Sequence, residues 1–334
     1  MKTVRNEIAK EYTPMDRTLS YTIEERFSGM DVKGFLKAMN YSSQCISDQK
    51  HVHDGIMHNG QRAYVTEKIS TGDNITINIH EENSSEKIPP VFMELDILYE
   101  DEDLIILNKP EDMPVHPSMN NYENTLANGL AYYYESQGER FVFRCMNRLD
   151  RNTTGAVLVA KNSLSGAMLS ELVRERRIKK EYVAVVEGAI SADNLKNVHK
   201  ILMNHNSDSF TIDAPIGRVD GSTIERCINE EKGERAVTHV TIIGIAEDRQ
   251  YSVVSCELET GRTHQIRVHM SHIGHPLVGD GLYNPKYKDN VLHRQLLHCR
   301  SLEFTHPISG EKISVVADFP NDMKIAGKLF DKNA

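Results

Sequence analysis

The chain has 334 residues, more than one domain of ordinary size holds, so a large domain with a smaller one beside it is expected. Hydrophobic residues make up 39% and charged residues 26%, enough aliphatic mass for a packed core, which excludes wholesale disorder. With 39 Lys and Arg against 48 Asp and Glu the formal charge is −9, which as an average argues against a basic nucleic-acid coat. No run of about 18 uncharged apolar residues occurs, and Met1 to Glu11 lacks the apolar stretch of a signal peptide, so a soluble cytoplasmic protein is expected. Cys45, Cys145, Cys227, Cys256 and Cys299 include no C-x-x-C pair; their odd number suits a reducing compartment, and buried thiols are expected.

In chain order, Val32 to Met39 reads as a short helix, and Gly55 to Asn78 carries turn signals at Asn59-Gly60 and Thr71-Gly72-Asp73 between β-rich runs. Glu81 to Lys87 followed by Ile88-Pro89-Pro90 reads as a linker, because a double proline cannot join a central strand. The division expected is therefore 1–88, a large domain over 89–324 and a tail over 325–334. Strands are expected at Leu104 to Asn108, Ala156 to Ala160, Tyr182 to Val186, Val237 to Ile243, Tyr251 to Glu259, Leu297 to Phe304 and Lys312 to Val316. Thr125 is expected to cap a helix with Leu126, Leu130 and Tyr133 on one face, and Ser163 a helix with Met168, Leu169, Leu172 and Val173 aligned. A third helix should follow Thr260-Gly261 and stop at Gly274, with Pro276 just beyond. Many paired strands with few helices predict an α+β fold on a mostly antiparallel, mixed sheet.

The densest chemistry lies in Asn147 to Lys161, where Asp150 stands between Arg148 and Arg151, followed by Thr153-Thr154-Gly155 and a strand apolar on both faces. Flanking guanidinium groups would keep such a carboxylate ionised, as a nucleophile or electrostatic stabiliser requires. An equally good reading of these residues alone is an Asp that orders its own loop by accepting the N–H groups of Asn152 to Thr154.

This segment resembles the hallmark motif of the RluA family of pseudouridine synthases, H-R-L-D-x-x-T-S-G followed by a hydrophobic strand. Leu104 to Pro117 resembles the family's Asn-Lys-Pro and Val-His-Pro run, Lys179 to Gly188 its lysine-x-tyrosine strand, and Thr260 to Asp280 its third motif. Asn147 stands where the family has His, and Thr154 where it has Ser. The resemblance implies isomerisation of uridine within RNA, without metal or other cofactor: the bond from sugar to base nitrogen breaks, the uracil rotates, and a bond to its carbon 5 forms. It further implies Asp150 as the catalytic carboxylate, Tyr182 as the aromatic against the target base, and Arg267 as the cation paired with Asp150. Around them Arg148, Leu149, Arg151, Thr154, Arg262 and His264 are expected to bind substrate. A base taken out of its stack needs a cleft to enter.

Between Phe141 and Tyr182, nine basic residues meet four acidic ones, whereas Met93 to Asp112 holds eight acids and only Lys109. The molecule is therefore polarised, and Lys109, Arg174, Arg176, Arg177 and Lys180 are candidates for the RNA backbone, although arginines ending a helix also serve its dipole. His264, His269, His272 and His275 lie within twelve positions, yet no Cys or Glu at usual spacing completes a metal site, and none is expected. Val32 to Glu81 resembles the αL RNA-binding domain first known from a ribosomal small-subunit protein. Its arginine-rich helix is replaced by Gln44 to His53, with only Lys50 and two histidines.

The expected function is thus an RNA pseudouridine synthase, monomeric, acting on ribosomal RNA, with transfer RNA as the other candidate and substrate contacts from loops such as Asn194 to Asp213. Two other classes compete. A phosphoryl-transfer enzyme would use Asp150 to Thr154 as a nucleophile loop but lacks the second carboxylate for magnesium; a non-catalytic RNA-binding or ribosome-assembly module would have no use for Asp150, Tyr182 and Arg267 together.

Overall fold

The computed structural model describes residues 16–330 apart from 82–84, 86, 119–120, 192–194, 196–197, 204–207, 286 and 288–291. Part of the Asn194 to Asp213 loop thus lies outside the described residues.

The N-terminal elements are β1 (Arg17–Thr22), α1 (Val32–Ala38), α2 (Ser43–Gln49), β2 (Ile56–His58), β3 (Gln61–Arg62) and β4 (Asn74–Ile79). The strands form a sheet in the order β1-β4-β2-β3. Asn59 and Gly60, at φ 49° and 78°, make the two-residue turn of the β2–β3 hairpin, the conformation that Asn-Gly favours. Strand β1 has polar residues on alternate positions and carried no turn signal ahead of it; it was not anticipated.

The larger part comprises β5 (Ile97–Glu100), β6 (Leu104–Lys109), α3 (Leu126–Ser136), β7 (Arg144–Cys145), β8 (Thr154–Ala160), α4 (Ser163–Arg174), β9 (Lys179–Glu187), β10 (Ile201–Met203), β11 (Ser209–Asp213), β12 (Ile216–Arg218) and β13 (Arg226–Ile228). It continues with β14 (Val237–Ile245), β15 (Tyr251–Leu258), α5 (Gln265–His272), β16 (Leu297–Thr305), β17 (Lys312–Val316) and α6 (Lys324–Phe330). One sheet runs β10-β11-β14-β15-β9-β16-β8-β6-β5, with β17 on β16 and β7 on β8. Among the described residues only the β16–β8 pairing is parallel, so the fold is α+β on a mixed, mostly antiparallel sheet, as expected.

Strand β8 is buried at every position, because β6, β7 and β16 flank it and helices cover its faces. Gly155 is required where β8 meets β16: at φ 108° it has no room for a Cβ, which would lie 2.2 Å from the Cys299 carbonyl oxygen. That contact gives the glycine of the Thr-Thr-Gly run a physical reason.

Several local expectations change. Asn162, not Ser163, caps α4, accepting from the Ser165 N–H at 2.8 Å, while the Ser163 N–H goes to Glu81. In α3 the inward aromatic is Tyr134, one helical turn beyond Leu130, rather than the half-buried Tyr133; both hydroxyls donate to Glu100. Of the five cysteines only Cys256 and Cys299 are fully buried.

Glu81, at the head of the expected linker, is buried against the N-terminus of α4 and pairs with Arg144 at 2.8 Å, a place where the helix dipole favours a carboxylate. Leu164 and Met168 of α4 pack into one apolar cluster with Phe35, Leu36, Ile46 and Ile77 of the N-terminal elements. Across the same boundary Arg17 bonds Asp103 at 3.0 and 3.1 Å. The residues expected as a tail begin with α6, whose Ala326 is fully buried in a cluster with Met323, Val183 and Val253. No helix among the described residues is long and apolar enough to cross a membrane.

Candidate active site

Asp150 sits in the loop that enters β8, and almost every group of that loop is held. Asn147, standing where the family has His, donates to the Ala156 carbonyl at 3.0 Å and accepts from the Leu158 N–H at 2.8 Å, so it docks the loop onto β8 by two backbone bonds. Lys109, from the end of β6, is fully buried and donates to the carbonyls of Pro110, Met113 and Arg151 at 2.7, 2.8 and 3.0 Å. Burial pushes its pKa down to about 7, yet three carbonyl acceptors need three N–H donors and so mark the protonated form. Arg294 takes the Asn152 carbonyl at 3.1 Å, and Gln295 donates to the Thr153 hydroxyl at 3.2 Å.

The partner of Asp150 comes from α5. Arg267, 7% exposed, donates Nη1 to Asp150 Oδ2 at 2.9 Å, and Nε and Nη2 to the two oxygens of Asp280 at 2.7 and 2.9 Å. Burial alone would lower its pKa; the hydrogen bond and charge of Asp280, with those of Asp150, raise it above the ordinary arginine value. The fork clamped on Asp280 fixes the remaining nitrogen toward Asp150. Asp280 is itself fully buried and accepts the N–H groups of Leu282 and Tyr283 at 3.0 and 3.1 Å.

His264 adopts a left-handed backbone, φ 59°, at the head of α5, and its Nε2 faces Asp150 Oδ2 at 3.8 Å. The Tyr283 hydroxyl accepts from the Arg226 N–H at 2.9 Å, so its own hydrogen is free for His264 Nδ1 at 2.8 Å. Assigned from these partners, the ring carries its proton on Nε2, toward Asp150. Burial lowers the imidazole pKa, which favours that neutral tautomer.

Asp150, Tyr182, Arg148, Leu149, Arg262, His264 and Arg267 line one narrow crevice of about 60 Å³. Tyr182 reaches it from β9 and is 6% exposed; burial holds its phenol well above the ordinary tyrosine pKa, so it is a poor proton acceptor and a good flat apolar wall.

Other sequence-predicted residues stand elsewhere. Arg151 points away from Asp150 and pairs with Asp112 at 2.6 Å, so neither flanking arginine is the carboxylate's partner; neighbours in an extended loop diverge. Thr154 is 3% exposed and bonds His298 Nδ1 at 2.8 Å, leaving Thr153 to face the crevice. Lys109 offers no surface to an RNA phosphate, because its amine is consumed by the loop. Arg174 pairs with Glu171 and Arg177 with Glu175 at the exposed end of α4, while Arg176 reaches Glu259 at 3.5 Å. Lys180 is half-buried in a cavity beside the crevice. The four clustered histidines do not converge: His269 bonds Thr238 and the Ala214 carbonyl, His275 the Glu187 carbonyl, and His272 the His199 carbonyl. Sequence reasoning missed Asp280, Tyr283 and Arg294. Asp280 closes the third motif and could have been read as a partner for Arg267; the other two gave no signal.

Known proteins similar to this chain identify its family. The family model for RNA pseudouridylate synthase matches residues 103–272. The uncharacterized RNA pseudouridine synthase YhcT of Bacillus subtilis is 35% identical over 92% of this chain and 96% of its own. Ribosomal large subunit pseudouridine synthase D of Escherichia coli K12 is 37% identical over 77% of this chain and 76% of its own. Among solved structures, human RNA pseudouridylate synthase domain containing 1 superposes with a TM-score of 0.53 at 28% identity, over 70% of this chain and 86% of that one. The chain therefore belongs to the RluA-type RNA pseudouridine synthases, enzymes that isomerise uridine to pseudouridine.

Proposed function

We propose that this enzyme isomerises uridines of large-subunit ribosomal RNA, acting as a monomer, with Asp150 as the catalytic carboxylate. The observation that carries the site is the Arg267 clamp, which occupies Asp150 Oδ2 and leaves Oδ1 with no hydrogen bond among the described residues. That free oxygen is the one to bond carbon 1′ of the target nucleotide as the bond to the base leaves, and it is released as carboxylate when carbon 5 of the turned uracil takes its place. In the isomerisation the bond from carbon 1′ to base nitrogen 1 breaks and the bond from carbon 1′ to carbon 5 forms. The proton leaves carbon 5 and one is gained at nitrogen 1, so nothing is consumed. Tyr182 supplies the wall against which the uracil lies and turns, and its raised pKa argues for a packing role with the proton passed through a closer acceptor. His264 Nε2–H, once the crevice tightens, steadies Asp150 from the second side.

Ribosomal RNA as the substrate class is supported by the relatives that bear that name. The N-terminal residues 1–88 form, in this reading, a divergent αL-type RNA-binding domain ahead of a catalytic domain over 89–324; its two helices beside a small sheet support that. Pseudouridine mapping of total RNA from cells with and without the gene tests the substrate, and sites lost from large-subunit ribosomal RNA are expected; loss confined to transfer RNA would overturn it. Asp150→Asn is expected to lower turnover at least about a thousand-fold with RNA affinity within about three-fold. Retained turnover would remove Asp150 from the chemistry.

A further inference from the structure

The crevice at Asp150 opens into a larger space. A cavity of about 670 Å³ lies between the end of α4, the segment before β8, the start of β9 and the end of β15. Met146, Val173, Ile178 and Leu258 give it an apolar floor. Tyr182, Arg148, Leu258 and Arg262 line both spaces, so Tyr182 stands as a partition within one continuous opening. Lys180 is two residues before Tyr182 on β9, hence on the same face and about 7 Å along the strand. Glu181 between them turns the other way, to the hydroxyls of Ser255 and Ser301.

The charges around this cavity are unevenly spent. Arg176 is engaged by Glu259, Arg262 by Glu234, and Glu259 also by Arg235 and His239. Among the described residues the side chains of Arg148 and Lys180 make no hydrogen bond or ion pair, that of Lys179 meets only the charge of Glu303 across the strand pair, and that of Glu257, exposed at the rim, makes no hydrogen bond or ion pair either. The balance facing the cavity is cationic. Lys180 is the one of these donors that is half-buried, and burial lowers its ammonium pKa. Its amine still meets water, and an acceptor on a ligand seated in the cavity would replace the part of its hydration that burial has removed. A ring over an apolar floor with its edge at an ammonium satisfies both features; a phosphate would satisfy only the second.

We propose that this cavity is a second nucleotide subsite. It holds the unstacked base adjoining the target uridine in the RNA chain, with Lys180 donating to the oxygen at position 4 of uracil or position 6 of guanine, where cytosine and adenine carry an amino group instead, so that uracil or guanine is favoured. The inference rests on placement of the target uridine between Asp150 and Tyr182.

The test uses the full-length protein and a short RNA containing a uridine that mapping shows it to modify. The RNA is prepared with each flanking base intact, exchanged between keto and amino forms, or removed to leave an abasic sugar. Removal of one flanking base is expected to lower kcat/KM about ten-fold, about 1.4 kcal/mol, through KM. Lys180→Met should lower the value for intact RNA by a similar factor but that for the abasic RNA less than about two-fold, and Lys180→Arg should restore part of the loss. Val173→Trp, which fills the cavity without reaching the crevice, should reproduce the Lys180→Met pattern. Losses from Lys180→Met and from base removal that multiply, or a loss that follows a neutral methylphosphonate at the flanking phosphate instead of the base, would overturn the base subsite. Asp150→Asn on the same RNA reports separately: if it still turns over while the coupled loss at Lys180 persists, the placement of the chemistry falls and the second subsite stands.

Discussion

The crevice and the N-terminal sheet both hold cations between two carboxylates, and they do so with different chemistry. In the crevice the cation is Arg267, between Asp150 and Asp280, buried and charged at every accessible pH. In the N-terminal sheet it is histidine: His58 lies between Glu67 and Asp73 at 3.3 and 3.0 Å, and His80 between Asp16 and Asp54 at 3.1 and 3.0 Å. The crevice therefore keeps its geometry as pH changes, while the sheet is knit by charges that come and go near neutrality. A site that must present one carboxylate oxygen in one direction needs the permanent ion and the planar fork.

Breaking the permanent pair should have the largest effect. Arg267→Ala leaves Asp280 buried and unpaired, with an expected stability loss of about 3–5 kcal/mol in urea unfolding. It should also lower single-turnover rates by about a hundred-fold, more than it lowers RNA affinity measured at one salt concentration. An affinity loss accounting for the whole defect would make Arg267 an RNA contact instead. Next comes the support beneath Asp150. Lys109→Met takes the donor from the Pro110 and Met113 carbonyls and leaves that of Arg151 only the Met113 N–H, so the loop loses its anchor and melting temperature and kcat should fall together while KM stays near its original value.

The titratable pairs give a smaller and conditional effect. Burial alone would lower the pKa of His58 and of His80, but the paired carboxylates raise both above the ordinary histidine value. Because each imidazole titrates higher folded than unfolded, its contribution is complete below about pH 6.5 and is lost as pH rises through the raised folded value. Melting should fall from pH 6 toward pH 8, and His58→Gln with His80→Gln should flatten that slope while leaving the pH profile of turnover in place. The smallest effect is expected at the exposed end of α4: Arg174→Ala should leave the urea-unfolding midpoint unchanged within error, since its pair with Glu171 is solvent-exposed.

Much of this was legible in the residues. The strands around Leu104, Ala156, Tyr182 and Tyr251 stand where apolar runs placed them, and the third helix stops before Gly274 as its spacing required. Local chemistry was less legible when two neighbours competed for one role. Asn162 and Ser163 are both good caps, and the outcome turned on Glu81, which claims the Ser163 N–H from 82 positions away. The charge reading failed in the same way. Arg148 and Arg151 stand within two positions of Asp150 in sequence, yet its partner is 117 positions distant.

From the sequence alone came the family motifs, the carboxylate, the polarity of the charge and the α+β pattern, because these depend on residue type and on periodicities of two or three to four residues. Tertiary structure alone decided what each charged group is for. Lys109 turned from a surface cation into the anchor of a loop, Asp280 became the group that aims Arg267, and the Lys180 amine was left without a side-chain partner beside a cavity with an apolar floor. The physical reason is that a charged side chain takes its role from whichever opposite charge or carbonyl it is buried against. Strands β6, β8, β9 and β16 bring those together across more than a hundred residues of chain.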